Sequence, residues 1–165
     1  MDGRNDSRGH YIPAEIFKGR LLGLDFGGRT VGVAVSDELG FSAGRLETVR
    51  RKKPDKLRTT LSRISDLVSV NDASGVVLGW PVNIDGSQGE RCTKTLEFAG
   101  KLKLRISVPI IFWDERLTTV EAKELMQELG IQRSLWDSIV DEVAAKVILQ
   151  DFLDHAHSAG WYGTN

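Results

Sequence analysis

The chain has 165 residues, 41% of them apolar and 27% charged, which is enough for one domain with a sizeable core and too few for two ordinary ones. A formal net charge of −1 does not announce a partner of opposite sign, and no run of about 18 uncharged apolar residues is present to cross a membrane. The single cysteine, Cys92, excludes an intramolecular disulfide and a cysteine-built zinc site, and His10, His155 and His157 lie near the ends, so carboxylates must hold any metal.

Residues 1–18 are polar and without periodicity, with no apolar stretch of the secretory type; they read as a flexible tail or purification remnant on a cytoplasmic protein. Leu21 to Phe26 is a short apolar run ended by glycines and predicts a buried strand. Thr30 to Ser36 follows after Gly27-Gly28-Arg29, a hairpin-length loop, and a third strand is expected from Gly44 to Val49. Pro54 and Asp55 open a helix that carries Leu57, Leu61, Ile64, Leu67 and Val68 at helical spacing. Val76 to Gly79 is the next strand; Ser87 and Glu90 form a capping box for a helix through Leu102; Val108 to Trp113 is a fifth strand. Thr118 and Glu121 cap another helix, stopped by Gly130, and a last helix runs from Trp136 to His155. Three consecutive strands followed by alternating α and β predict one α/β domain over residues 19–156, with a mixed sheet and a C-terminal tail at 157–165.

Acids sit at three places in apolar surroundings. Asp25 closes the first strand, Asp114 and Glu115 close the fifth, and Asp141 shares a helical stripe with Ala145, Ile148 and Phe152. Glu142, with Lys146 four residues on, reads as an exposed pair. A core-facing carboxylate is costly without a partner, and a divalent cation accommodates several at once. The carboxyl ends of parallel strands share one sheet edge, where α/β sites form, and oxygen ligands there suit Mg²⁺ or Mn²⁺. Two such ions about 4 Å apart support phosphodiester hydrolysis. Each acid also has a structural reading: Asp25 as a turn aspartate, Asp114-Glu115-Arg116 as a surface ion pair, Asp141 as an amphipathic helix position. A basic cluster, Arg50, Arg51, Lys52, Lys53, Lys56 and Arg58, is either a solvated face or a phosphate contact.

Four blocks resemble the YqgF family, RNase H-like proteins also called RuvX, described as Holliday junction resolvase-like and regarded as pre-16S rRNA nucleases. They are Leu24-Asp25-Phe26-Gly27-Gly28-Arg29-Thr30 through Asp37, Val77 through Ser87, Trp113-Asp114-Glu115-Arg116 through Ala122, and Val140-Asp141 through Leu149, in family order over about residues 20–155. The resemblance implies an RNase H-like fold, a five-stranded mixed sheet with helices on both faces. It also implies a metal-dependent nuclease with a catalytic, metal-binding set of Asp25, Asp141 and an acid of the Asp114-Glu115 pair, Glu115 being favoured, and with two Mg²⁺ or Mn²⁺ ions. Arg29 and Arg116 would suit phosphate contacts, and Asn83, with Asp85 and Gly86, a loop bordering the substrate. The implied partner is nucleic acid, structured RNA or branched DNA, in ribosome biogenesis in the cytoplasm, with no membrane role. The alternatives are a resolvase-like DNA nuclease and a nucleic-acid-binding module without turnover. Asp25 to Thr30 also resembles the phosphate-binding hairpin of actin-like ATPases and sugar kinases, but those need two such domains. The loop before the last helix carries one basic residue, Arg133, together with Trp136 and Asp137, where family members often carry lysines.

Overall fold

A computed structural model of the chain describes residues 3–5, 10–81, 89–114 and 118–163, the side chains of residues 118, 119 and 121 excepted. Two short strands, β1 (Gly3–Asn5) and β2 (Tyr11–Pro13), pair antiparallel and lead into a 3₁₀ turn at Ala14–Lys18. The main sheet contains β3 (Leu21–Phe26), β4 (Thr30–Ser36), β5 (Ala43–Arg50), β6 (Gly75–Trp80) and β7 (Ile110–Asp114). Their spatial order is β5-β4-β3-β6-β7; β3, β4 and β5 pair antiparallel, while β6 runs parallel to both β3 and β7. This is the mixed five-stranded sheet expected from the strand order.

Strand alternation sorts side chains onto two faces. Leu22, Leu24, Val31, Val33, Val76 and Leu78 meet helices α1 (Arg58–Val70) and α2 (Glu90–Lys103) on one face. Leu21, Ala34, Val77 and Ile111 meet α4 (Trp136–Ser158) on the other. Helix α3 (Thr118–Glu128) packs on α4 through Ala122, Met126, Val143 and Ala144. As the sequence predicts, Gly130 stops α3: at φ +69° it lets its own N–H reach Gln127 O and the N–H of Ile131 reach Met126 O.

Helix α4 lies unusually close to the sheet. A Cβ at Gly32 would stand 1.8 Å from the carbonyl oxygen of Asp141, and one at Gly23 would stand 2.7 Å from Leu149 Cβ and 3.0 Å from Ala145 O. Backbone cannot yield as a flexible side chain can, so both positions require glycine.

The ends differ from expectation. Within residues 1–18, Ile12 and Ile16 are 1% and 0% exposed, and Phe17 packs against Phe152, Trp161 and Tyr162. The Ser74 hydroxyl donates to Ile16 O at 2.6 Å. Burial of these apolar side chains, about 1.5–3 kcal/mol for each of the large ones, docks residues 10–18 on the α4 layer rather than leaving a tail. Residues 157–163 are likewise not a tail. The Trp161 N–H reaches back to Ala156 O across Gly160 at φ +72°, and its indole is buried beside Phe152. Helix α1 begins at Arg58, four residues after Pro54; Pro54 and Asp55 occupy a turn closed by Lys56 N–H to Lys53 O. Ser87 lies outside the described residues, and α2 starts behind Gly89 without a side-chain cap.

Between β4 and β5, Asp37 ties the connection: its carboxylate accepts from Phe41 N–H at 2.7 Å, Ser42 N–H at 2.9 Å and Leu39 N–H at 3.3 Å. These donors, Ser42 foremost, hold its carboxyl below the usual range. A depressed folded pKa contributes stability above the unfolded value, about 3.9, and loses it as pH falls through the lower folded value. Asp37→Asn is therefore expected to be less stable than the parent at pH 7, with the difference narrowing only below about pH 4, as urea melts across pH will show.

Gly32→Ala is expected to cost at least about 3 kcal/mol or to prevent folding, by overpacking against backbone. Gly44→Ala, where nothing lies within 4 Å of the added Cβ, should be neutral or better. Chemical denaturation of the two variants checks the contrast.

Candidate active site

Asp25 follows Leu24 on β3 and precedes Phe26, both of which belong to the α1/α2 face, so alternation puts Asp25 with Gly23 on the α4 face. Its register partner on β4 is Gly32, the residue that rests against the Asp141 backbone. Thr30, two residues earlier on the same face of β4, donates its hydroxyl to Asp141 Oδ2 at 2.7 Å. The structure therefore places Asp25 and Asp141 on the same face of the β3–β4 hairpin, both half-buried. Asp141 turns to the sheet rather than to solvent.

Glu142 differs from expectation. Its carboxylate accepts from the Thr48 hydroxyl at 3.0 Å and lies 3.5 Å from Arg45, with 16% of its side chain exposed, instead of forming an exposed pair with Lys146. A bulge in β5 makes this possible. Val33 pairs with Glu47 and Ala34 with Arg45, so Leu46 is the extra residue and the alternation shifts by one. Arg45 and Thr48 thus both face α4, as does Arg50, whose guanidinium donates to Ser138 O at 2.9 Å.

On β7, Trp113 faces α4: its ring meets Phe152 edge-on at 5.2 Å and its indole N–H donates to Asp151 at 2.8 Å. Phe112 faces the other way, against Trp80. Alternation places Asp114 on the Phe112 face, in register with Trp80 and on the side of the sheet opposite Asp25. Glu115, Arg116, Asn83, Asp85 and Gly86 lie outside the described residues. Among the described residues, no three His, Cys, Asp or Glu side chains come close enough to hold a metal ion. Arg29 is exposed in the hairpin loop, and its carbonyl accepts from Arg51 N–H at 2.8 Å.

Two participants escaped sequence reasoning. Thr30 lies in the first of the four blocks, where no role was assigned to it; its place two residues from a glycine on the same strand face was the available signal. Arg51 was grouped with its basic neighbours, but it is 6% exposed, whereas Arg50, Lys52, Lys53, Lys56 and Arg58 are exposed. Nothing in the charge pattern distinguishes it. Trp136 is an anchor at the edge of the α3–α4 contact: its indole N–H donates to Ile131 O at 3.0 Å, with Arg133 over its ring.

Thr30→Val removes the donor to a carboxylate and is expected to cost about 1–3 kcal/mol of stability, with Thr30→Ser retaining most of it. Equilibrium unfolding at neutral pH measures both.

No helix among the described residues is long and apolar enough to cross a membrane. The family model for RuvX, described as "Holliday junction resolvase", matches residues 19–155. A protein of Agathobacter rectalis named "Putative pre-16S rRNA nuclease" is 52% identical over 136 residues, which are 82% of this chain and 95% of that protein. One of Ruegeria sp. with the same name is 46% identical over 134 residues, covering 81% of this chain and 83% of that protein. Among solved structures, Thermus thermophilus RuvC in complex with a Holliday junction substrate aligns with a TM-score of 0.56 at 14% identity, over 87% of this chain and 98% of that one, which is a likeness of fold. With the match spanning the sheet, its helices and both aspartates, the chain belongs to the RuvX family.

Proposed function

We propose that this chain is a metal-dependent nuclease that hydrolyses phosphodiester bonds in the processing of the 5′ end of pre-16S rRNA, in the cytoplasm. The observation that carries the reading is the docking of the Asp141 carboxylate on the β3–β4 hairpin beside the strand end that carries Asp25. Two half-buried carboxylates on one face, neither of them the acid that Arg45 neutralises, form an oxygen-donor pair suited to a hard divalent cation. Asp25, Asp141 and Glu115 would hold Mg²⁺ or Mn²⁺, two ions in the favoured reading. Glu115 is preferred to Asp114 because Asp114 shares the Phe112 face.

Held by these acids, a divalent cation would supply Lewis-acid stabilisation of charge on the phosphodiester. The chain's own groups prepare the site. The Thr30 hydroxyl fixes one oxygen of Asp141 and so its rotamer, and the tight seat of α4 on Gly32 keeps that carboxylate at a set height above β3. Arg29 and Arg116 would contact substrate phosphates, and Asn83 would border the strand. Relatives named for pre-16S rRNA at up to 52% identity favour RNA, while the description of the family model favours branched DNA as the second substrate to test.

The test is cleavage of a 5′-extended 16S precursor RNA and of a four-way DNA junction, in Mn²⁺, by the parent, Asp25→Asn and Asp141→Asn. Both variants are expected to fold, Asp141→Asn keeping an oxygen for the Thr30 hydroxyl, and to lose more than about 100-fold in cleavage together with the Mn²⁺-induced rise in Tm. Cleavage that survives either substitution removes that acid from the active set, and cleavage of the junction alone reassigns the substrate.

A further inference from the structure

On the other face of the sheet, between the hairpin loop and the start of α2, lies a cavity of about 560 Å³ walled by Phe26, Gly27 and Gly28. Five cations line it, Arg29, Arg51, Arg91, Lys94 and Lys101, against two acids, Asp55 and Glu97. Lys94 also lies 3.4 Å from Glu90, and Arg91 reaches Phe26 O at 3.4 Å. The balance in the wall is positive although the chain as a whole carries a net charge of −1.

Arg51 makes this cavity more than a solvated surface. Its Nη2 donates to the carbonyls of both Gly27 and Gly28 at 2.6 Å, and its guanidinium lies over the Phe26 ring at 5.0 Å. Its Nε and Nη1 are buried with no hydrogen-bond acceptor, and none of the described carboxylates pairs with it. A buried cation without a counter-ion is costly, and the cost falls when an anion sits close by in the same low-dielectric surroundings. The volume is that of a site for a whole nucleotide unit rather than a bare ion.

We propose that this cavity is a phosphate-binding subsite for the nucleic-acid strand, separated by the sheet from Asp25 and Asp141 and floored by Arg51. The proposal rests on the nuclease reading above. The choice of a strand over a free nucleotide follows from continuity: Phe26 lines the cavity, while Asp25, one residue before it, faces α4. A polyanion that rounds the tip of the hairpin reaches both sides of the sheet.

The test measures binding of a 5′-fluorescein-labelled 20-nucleotide single-stranded RNA by anisotropy, in EDTA, over a range of salt. The full chain is compared with Lys94→Glu/Lys101→Glu and with the charge-matched control Lys103→Glu/Arg105→Glu, whose exposed residues lie outside the cavity wall. Melting curves establish that all three fold. Loss of two phosphate contacts should lower the slope of log K against log salt by about 1.4 and weaken binding at low salt about tenfold or more, with the control close to the parent. A cavity variant indistinguishable from the control, in a parent that binds RNA and cleaves nucleic acid, overturns the subsite and leaves the nuclease reading standing. A parent that neither binds nor cleaves RNA or junction DNA overturns both. AMP that binds the parent but not the Lys94/Lys101 variant, without displacing the RNA, assigns the cavity to a free nucleotide and overturns the strand proposal.

Discussion

The contact between helix α4 and strands β3 and β4 governs most of what this molecule is. Two residues without a Cβ, Gly23 and Gly32, let a 23-residue helix settle onto the sheet until helix backbone touches strand backbone. Interiors pack near crystal density, so a single methyl group at Gly32 has nowhere to go. The same helix then serves two layers, meeting the sheet through Ala145, Ile148, Leu149 and Phe152 and α3 through Val143 and Ala144. Moving α4 outward would open both contacts and carry Asp141 away from the hairpin.

That contact also sorts two adjacent acids into different tasks. Among the described residues Asp141 receives a neutral donor, the Thr30 hydroxyl, whereas Glu142 receives Thr48 and the cation Arg45. The difference comes from the bulge at Leu46, which turns Arg45, Thr48 and Arg50 toward the helix together. One surplus residue in an edge strand thus neutralises the neighbour of the candidate metal ligand and leaves the ligand itself available. On the opposite face, Arg51 draws the carbonyls of Gly27 and Gly28 inward, so the loop after Asp25 is held from one side of the sheet while Asp141 is held on the other.

Much of this was legible in the sequence, and the exceptions have physical causes. Apolar runs and glycine stops located every strand of the main sheet, because strand period and turn chemistry are local properties. The stripe Asp141-Ala145-Ile148-Phe152 showed which way Asp141 faces for the same reason. Gly32 looked like one more small residue in a valine-rich strand; its requirement arises from a helix more than a hundred residues away. The fate of Glu142 was misread because the i,i+4 pair with Lys146 is visible locally, whereas Arg45 and Thr48 reach it only through a bulge. The terminal segments looked like tails because Ile12, Ile16 and Phe17 at one end and Trp161 at the other are too few to show a period, yet all four pack into the cluster that contains Phe152. In the basic cluster, composition could not separate buried Arg51 from its solvated neighbours.

The central claim is that α4 and the β3–β4 hairpin assemble one divalent-cation site from Asp25 and Asp141. Anomalous diffraction at the manganese edge, from crystals of the full chain soaked in Mn²⁺, tests it most directly. The account predicts a peak roughly 2.0–2.2 Å from a carboxylate oxygen of each aspartate, a distance typical of small octahedral divalent ions. Manganese peaks elsewhere in the crystal, with none bridging Asp25 and Asp141, would contradict it.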